Sequence, residues 1–201
     1  LDDFLAPLRT AASRRWILTS AYFSFAVWVS SCFSVPYMLK DLRLEGFIAN
    51  TVIIFILPAA ATVMLLNRWG KMVDTRGPRR AVLIRAVTAV ALPLLYFAST
   101  PRNGFWMMTL SWTAVGALWT ATEQAAIPRI NATLSRTMRR SAYVAVLTAV
   151  CTGAGGLGAL VGSRIVAEWG IRPAFLVSTC LRTVAAVLFF RMPWSAMGLE
   201  K

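Results

Sequence analysis

Six apolar runs, each close to the roughly 20 residues that an α-helix needs to cross a bilayer, alternate with short polar breaks along this chain. They cover Trp16 to Leu39, Phe47 to Leu66, Ala81 to Ser99, Phe105 to Ile127, Ala142 to Val166 and Pro173 to Phe190. The pattern predicts an all-α membrane protein with six transmembrane helices over residues 16–191. Residues 1–15, "LDDFLAPLRTAASRR", are too polar to span. They are expected at the interface as a short amphipathic helix that Pro7 kinks or divides. Residues 192–201 form the expected tail, and the polar, basic break from Pro128 to Ser141 is expected to make a surface helix.

Composition agrees with that reading. Hydrophobic residues fill 58% of the 201 positions and charged ones only 14%, against about 25% in soluble domains. The net charge of +13 would point to nucleic acid in a soluble protein. Here the basic residues gather in the breaks between spans, so they read as membrane orientation, with lipid headgroups as partner and no nucleic acid. On one side fall Arg9, Arg14 and Arg15, then Arg68, Lys71, Arg76, Arg79 and Arg80, then Arg129, Arg136, Arg139 and Arg140, and finally Arg191 and Lys201. On the other fall Lys40, Arg43, Arg102, Arg164 and Arg172. Basic residues of short loops stay in the cytoplasm, so both termini are expected there. The expected location is the bacterial cytoplasmic membrane.

The chain has no histidine, which removes the usual general base and most transition-metal sites. Cys32, Cys151 and Cys180 each lie in an apolar run and read as small buried residues, not a disulfide framework or metal cluster. No catalytic residue, metal or cofactor is expected, and the chain does not read as an enzyme. It opens on Leu1 without a visible signal peptide or initiator Met, and reads as part of a longer chain. Trp16, Trp69, Trp106, Trp169 and Trp194 fall near predicted span ends, where an interfacial belt places them.

Between the second and third runs stands "GKMVDTRGPRR", residues 70–80. Read as a turn, it uses Gly70 for close packing or reversal and Gly77 for a positive φ. Asp74 is placed to pair with helix amides or nearby arginines. The spacing of Gly70, Asp74, Gly77, Arg79 and Arg80 resembles the signature loop of the major facilitator superfamily, with Thr75 standing where a basic residue is usual. The resemblance implies a six-helix half-bundle of a twelve-helix transporter, with this loop as a cytoplasmic latch that steadies one conformation. It also implies a small-molecule substrate and a partner, the other six-helix half, on the same chain or in a dimer. The alternative is a non-transporting membrane scaffold or assembly factor on the same fold.

The fifth run carries "TGAGGLGALVG", residues 152–162, in which Ala154, Gly158 and Gly162 recur every four positions and open one face for close helix packing. It resembles the family's glycine-rich fifth-helix motif of antiporters, with Ala159 in place of Pro. The fourth run lacks the arginine that the family's first half often carries there, and "FLAPLRTAASRRW" resembles the linker between halves. Both imply the C-terminal half.

Polar residues within spans face protein or water. In the fourth run Thr109, Thr113, Gly116, Thr120 and Glu123 make one stripe; in the first, Ser20, Ser24, Ser31 and Ser34 share a face with Trp28. The resemblance implies that these two spans line the central cavity, so Ser20, Ser24, Trp28, Ser31, Thr109, Thr113 and Thr120 are the cavity candidates. Trp112 and Trp119, one heptad apart, are placed to pack or to stack on a substrate. Glu123, five residues before Pro128, is expected to lie shallow on the cytoplasmic side and to join Arg85 and Asp74 in a charge network. Arg182 is the deepest charge, a residue that demands an anionic partner, water or an anionic substrate.

Overall fold

The computed structural model describes residues 2–136 and 138–199, with the side chains of residues 2–5, 49 and 50 excepted. All regular structure among them is helical. The elements are α1 (Asp2–Arg9), α2 (Ala11–Ser31), α3 (Ser34–Pro36), α4 (Leu57–Arg76), α5 (Arg79–Ala98), α6 (Gly104–Ala114), α7 (Ala121–Leu134), α8 (Arg140–Trp169) and α9 (Ile171–Phe190). Wider π-type turns occupy Tyr37–Asp41, Ile48–Ile56 and Val115–Thr120. The last of these joins α6 to α7, so that residues 104–134 form one helical run.

Among the described residues, five helices are long and apolar enough to cross a membrane: Ala11–Asp41, Thr51–Arg76, Arg79–Ala98, Arg140–Trp169 and Ile171–Phe190. The expected fourth span is helical but is not one of these. Its apolar content is diluted by Thr109, Ser111, Thr113, Thr120, Thr122 and Glu123.

Several sequence expectations move with the helix ends. Pro7 sits inside α1, and the break comes at the extended Thr10 (φ −84°, ψ 131°). The residues from Ala11 onward, including Arg14 and Arg15, already belong to α2, the first spanning helix. The surface helix expected over Pro128 to Ser141 does not form as a separate element. Pro128 lies within α7, which continues to Leu134 before the chain turns. The charged stretch after the second run is mostly helix as well, because α4 runs on to Arg76 and the reversal is confined to Gly77 and Pro78.

Packing pairs the helices twice over. α2 lies along α8, the α6–α7 run lies along α4, and α5 lies against α9. First on fifth and fourth on second is the pairing expected of two three-helix repeats. Both close pairs are made by glycine. A Cβ on Gly158 or Gly162 would overlap the backbone carbonyls of Phe25 and Val29, and one on Gly116 would overlap that of Pro58. Gly158 and Gly162 therefore serve helix packing, and Gly116 plays the same part in the other pair.

The core falls into two clusters. The larger joins Trp16, Phe23, Val73, Ile130, Tyr143, Phe189 and Trp194. The smaller joins Tyr37, Met38, Ile53, Tyr96, Met108 and Phe175. Trp16 and Trp194 are only 1% exposed and pack edge to face at 6.1 Å, so they are core residues and not part of an interfacial belt. The segment after α9 folds back onto α2 and buries both. Trp106 and Trp169 are exposed, as a belt requires, while the half-buried Trp69 donates to the carbonyl of Ala117 at 2.8 Å. The cysteines also depart from expectation. Cys32 and Cys180 are exposed and Cys151 is half-buried, all three free. Cys32 and Cys180 sit on outer helix faces, whereas Cys151 faces inward.

Candidate functional site

Two cavities open along the inner sides of the first and fourth helical runs. The first, about 230 Å³, is lined by Ser20, Phe23 and Ser24 of α2, Arg85 of α5, Glu123 and Ile127 of α7, and Leu147, Thr148, Cys151 and Thr152 of α8, with Trp16 at one edge. Arg85 Nη2 meets Glu123 Oε1 at 3.0 Å. The indole Nε1 of Trp119 donates to Glu123 Oε2 at 2.9 Å. The guanidinium lies over the rings of Phe23 at 4.7 Å and Trp119 at 5.3 Å. Its side chain is 13% exposed and that of Glu123 39%. A half-dry cation is thus held by one carboxylate and two π faces, an arrangement strengthened by the loss of water.

The helix ends fix the place of this pair along each axis. Glu123 stands eleven residues before the end of α7 at Leu134, about 16 Å along the axis at about 1.5 Å per residue. α7 runs on past Pro128, so Glu123 is farther from its helix end than the sequence suggested. Arg85 is six residues into α5, about 9 Å from its start.

The second cavity, about 170 Å³, lies between α2, α5, α9 and the fourth run. Ser31, Ser34, Tyr96, Trp112, Trp119, Phe175 and Arg182 are among its walls. Arg182 is 3% exposed. Its Nη1 donates to the carbonyl of Ala89 at 2.9 Å, and its Nη2 to Val27 O at 3.0 Å, Ser30 Oγ at 3.2 Å and Ser31 Oγ at 3.3 Å. Ser30 Oγ donates in turn to Ser178 Oγ at 2.9 Å, and Ser178 Oγ to Ala26 O at 2.7 Å. This network ties α9 to α2 and α5. No carboxylate among the described residues pairs with Arg182.

Ser20, Ser24 and Ser31 line the cavities, whereas Trp28 is 48% exposed and lies against Gly155 of α8. On the fourth run the cavity walls are Trp112, Val115, Trp119, Glu123 and Ile127, not Thr109, Thr113 or Thr120. The offset begins ahead of the π turns at Val115–Thr120, with Trp112 on the wall in place of Thr113, and beyond those turns Glu123 of the stripe does line a cavity. The Thr109 hydroxyl is buried with no partner among the described residues.

At one end of the bundle, Asp74 near the end of α4 pairs with Arg129 of α7, Nη1 to Oδ1 at 2.7 Å. Of the three expected network members, Arg85 and Glu123 pair with each other and Asp74 pairs with Arg129. Gly77 takes φ 77°, which a side chain strongly disfavours, and ends α4 with its amide on Val73 O at 3.0 Å. Gly70 is mid-helix with open space around it, so it neither turns the chain nor packs closely in this bundle. Thr75 bonds back to Lys71 O at 2.8 Å, Arg79 is half-buried and Arg80 is exposed. Sequence reasoning missed Arg129 as the partner of Asp74, having counted it only for topology. It also missed Ser30, the hydroxyl that accepts from Arg182 and links it to Ser178.

A bundle of apolar helices with internal charges and cavities along two of them is a transporter-type fold. The family model of the Major Facilitator Superfamily matches residues 16–196. The chain belongs to that superfamily, whose members are generally transporters and not enzymes. No curated protein and no solved structure matches it significantly.

Proposed function

We propose that this chain is one six-helix half, the C-terminal one, of a secondary transporter that moves a small solute across a bacterial cytoplasmic membrane by alternating access. The half rocks against a second six-helix half, on the same chain or in a dimer partner, with the solute near the midplane between them. Residues 104–134 cross as the fourth of six spans. Their polarity is tolerable because the helix faces cavities and neighbours, not lipid. Both termini lie in the cytoplasm, where the basic breaks belong, and the lead-in rests at the interface.

The observation that carries this reading is the pair of cavities along the first and fourth runs in a chain of this family. Asp74–Arg129 joins α4 to α7, and Arg85–Glu123 joins α5 to α7. Both are contacts that an opening motion can break and remake, so they act as the cytoplasmic latch. Solute flux into liposomes containing the full-length protein tests the proposal. Saturable flux of one solute class is the expected result. No flux for any class, with a stable complex to another membrane protein, identifies a non-transporting scaffold or assembly factor instead.

A further inference from the structure

Arg182 presents a problem that the helix bundle does not solve. A guanidinium 3% exposed within a spanning helix has only neutral partners, namely two backbone carbonyls and two hydroxyls. Its Nε–H has no partner among the described residues. Burying a charge without a counter-charge is costly, and tying α9 to two carbonyls does not require one, since a neutral amide side chain also donates hydrogen bonds. The charge therefore needs an anion that the described residues do not supply.

The cavity beside it describes that anion. No Asp or Glu lines it, and Glu123, which accepts from the Trp119 indole, is itself paired with Arg85. Trp112, Trp119, Tyr96 and Phe175 supply an aromatic wall, and Ser31, whose Oγ accepts from Arg182, stands beside the charge. Its volume of about 170 Å³ is below the ~300–1,000 Å³ typical of drug-sized ligands. We propose that this cavity recognises a small organic monoanion with an aromatic or apolar body, its acid group facing Arg182 and its body against Trp112 and Trp119. The inference rests on the transporter reading, because it names the substrate class of that protein.

The test uses the full-length protein in lipid nanodiscs, with binding read by tryptophan fluorescence. The probes are benzoate, phenylacetate and 3-phenylpropionate, each beside its neutral amide, with benzylamine as the cation. At least one acid should bind more tightly than its amide by on the order of tenfold, the margin of a charge-assisted over a neutral hydrogen bond. Benzylamine should not compete. Arg182→Lys should keep the preference for the acid, and Arg182→Gln should abolish it. If Arg182→Gln does not fold, by size-exclusion profile, the acid-to-amide ratio of the unaltered protein and of Arg182→Lys decides. Acids that bind no more tightly than their amides, or a folded Arg182→Gln that keeps the preference, overturn the proposal. Flux of a neutral solute without acid preference would sink this inference alone. Acid binding without flux would sink the transporter reading alone.

Discussion

Arg85 and Glu123 meet at 3.0 Å between α5 and α7, and the Trp119 indole donates to the same carboxylate. Removing the carboxylate strands a guanidinium that is 13% exposed. Glu123→Gln should destabilise the full-length protein by about 1–3 kcal/mol, less than the ~3–5 of a fully buried pair because Glu123 keeps some water. Thermal unfolding in detergent reads this, and the exchange Arg85→Glu with Glu123→Arg should recover part of the loss. The same Glu123→Gln protein should lose proton coupling of transport if Glu123 carries the proton; unchanged proton-coupled flux rules that role out.

The glycines separate by what surrounds them. Gly162→Ala and Gly116→Ala each force a methyl onto a facing carbonyl and should cost about 1–3 kcal/mol or more. Gly156→Ala has open space around it and should be neutral or stabilising by about 0.5–1 kcal/mol through helix propensity. Equal losses at all three positions would contradict the packing described.

Two members of the signature stretch should part in the same way. Gly77→Ala strains a φ of 77° and should cost about 1–3 kcal/mol. Gly70→Ala should leave stability unchanged or raised. A fall in transport with intact stability at Gly70 would show that this face meets the second half. Chemical denaturation beside flux measures both.

The fourth helical run is the part of the topology open to direct challenge. A cysteine placed at Arg102 should react with a membrane-impermeant reagent from outside intact cells, and one at Arg136 only after the cytoplasm is opened. Labelling of both from one side would mean that residues 104–134 do not cross.

The apolar runs were legible because lipid imposes a length and a composition that six segments of this sequence meet or nearly meet. The Arg85–Glu123 pairing was legible too, since two opposite charges inside spans have few other places to go. What the sequence hid came from side-chain and backbone detail. On the fourth run the cavity face passes through Trp112 and Trp119, one residue before Thr113 and Thr120, because large aromatic side chains and not the hydroxyls form that wall. α7 passes through Pro128 and ends only at Leu134, which the proline concealed. The fold-back of the chain after α9 buried Trp194 against Trp16, which no local pattern encodes.

Alternating access is tested most directly at Ser31, which lines the Arg182 cavity. In full-length protein freed of its native cysteines and held in sealed vesicles of known orientation, Ser31→Cys should react with an impermeant maleimide from both sides. Asp74→Asn, which cuts the contact to Arg129, should shift the ratio of labelling between the two sides. Reaction from one side only, unchanged by Asp74→Asn, would contradict the account.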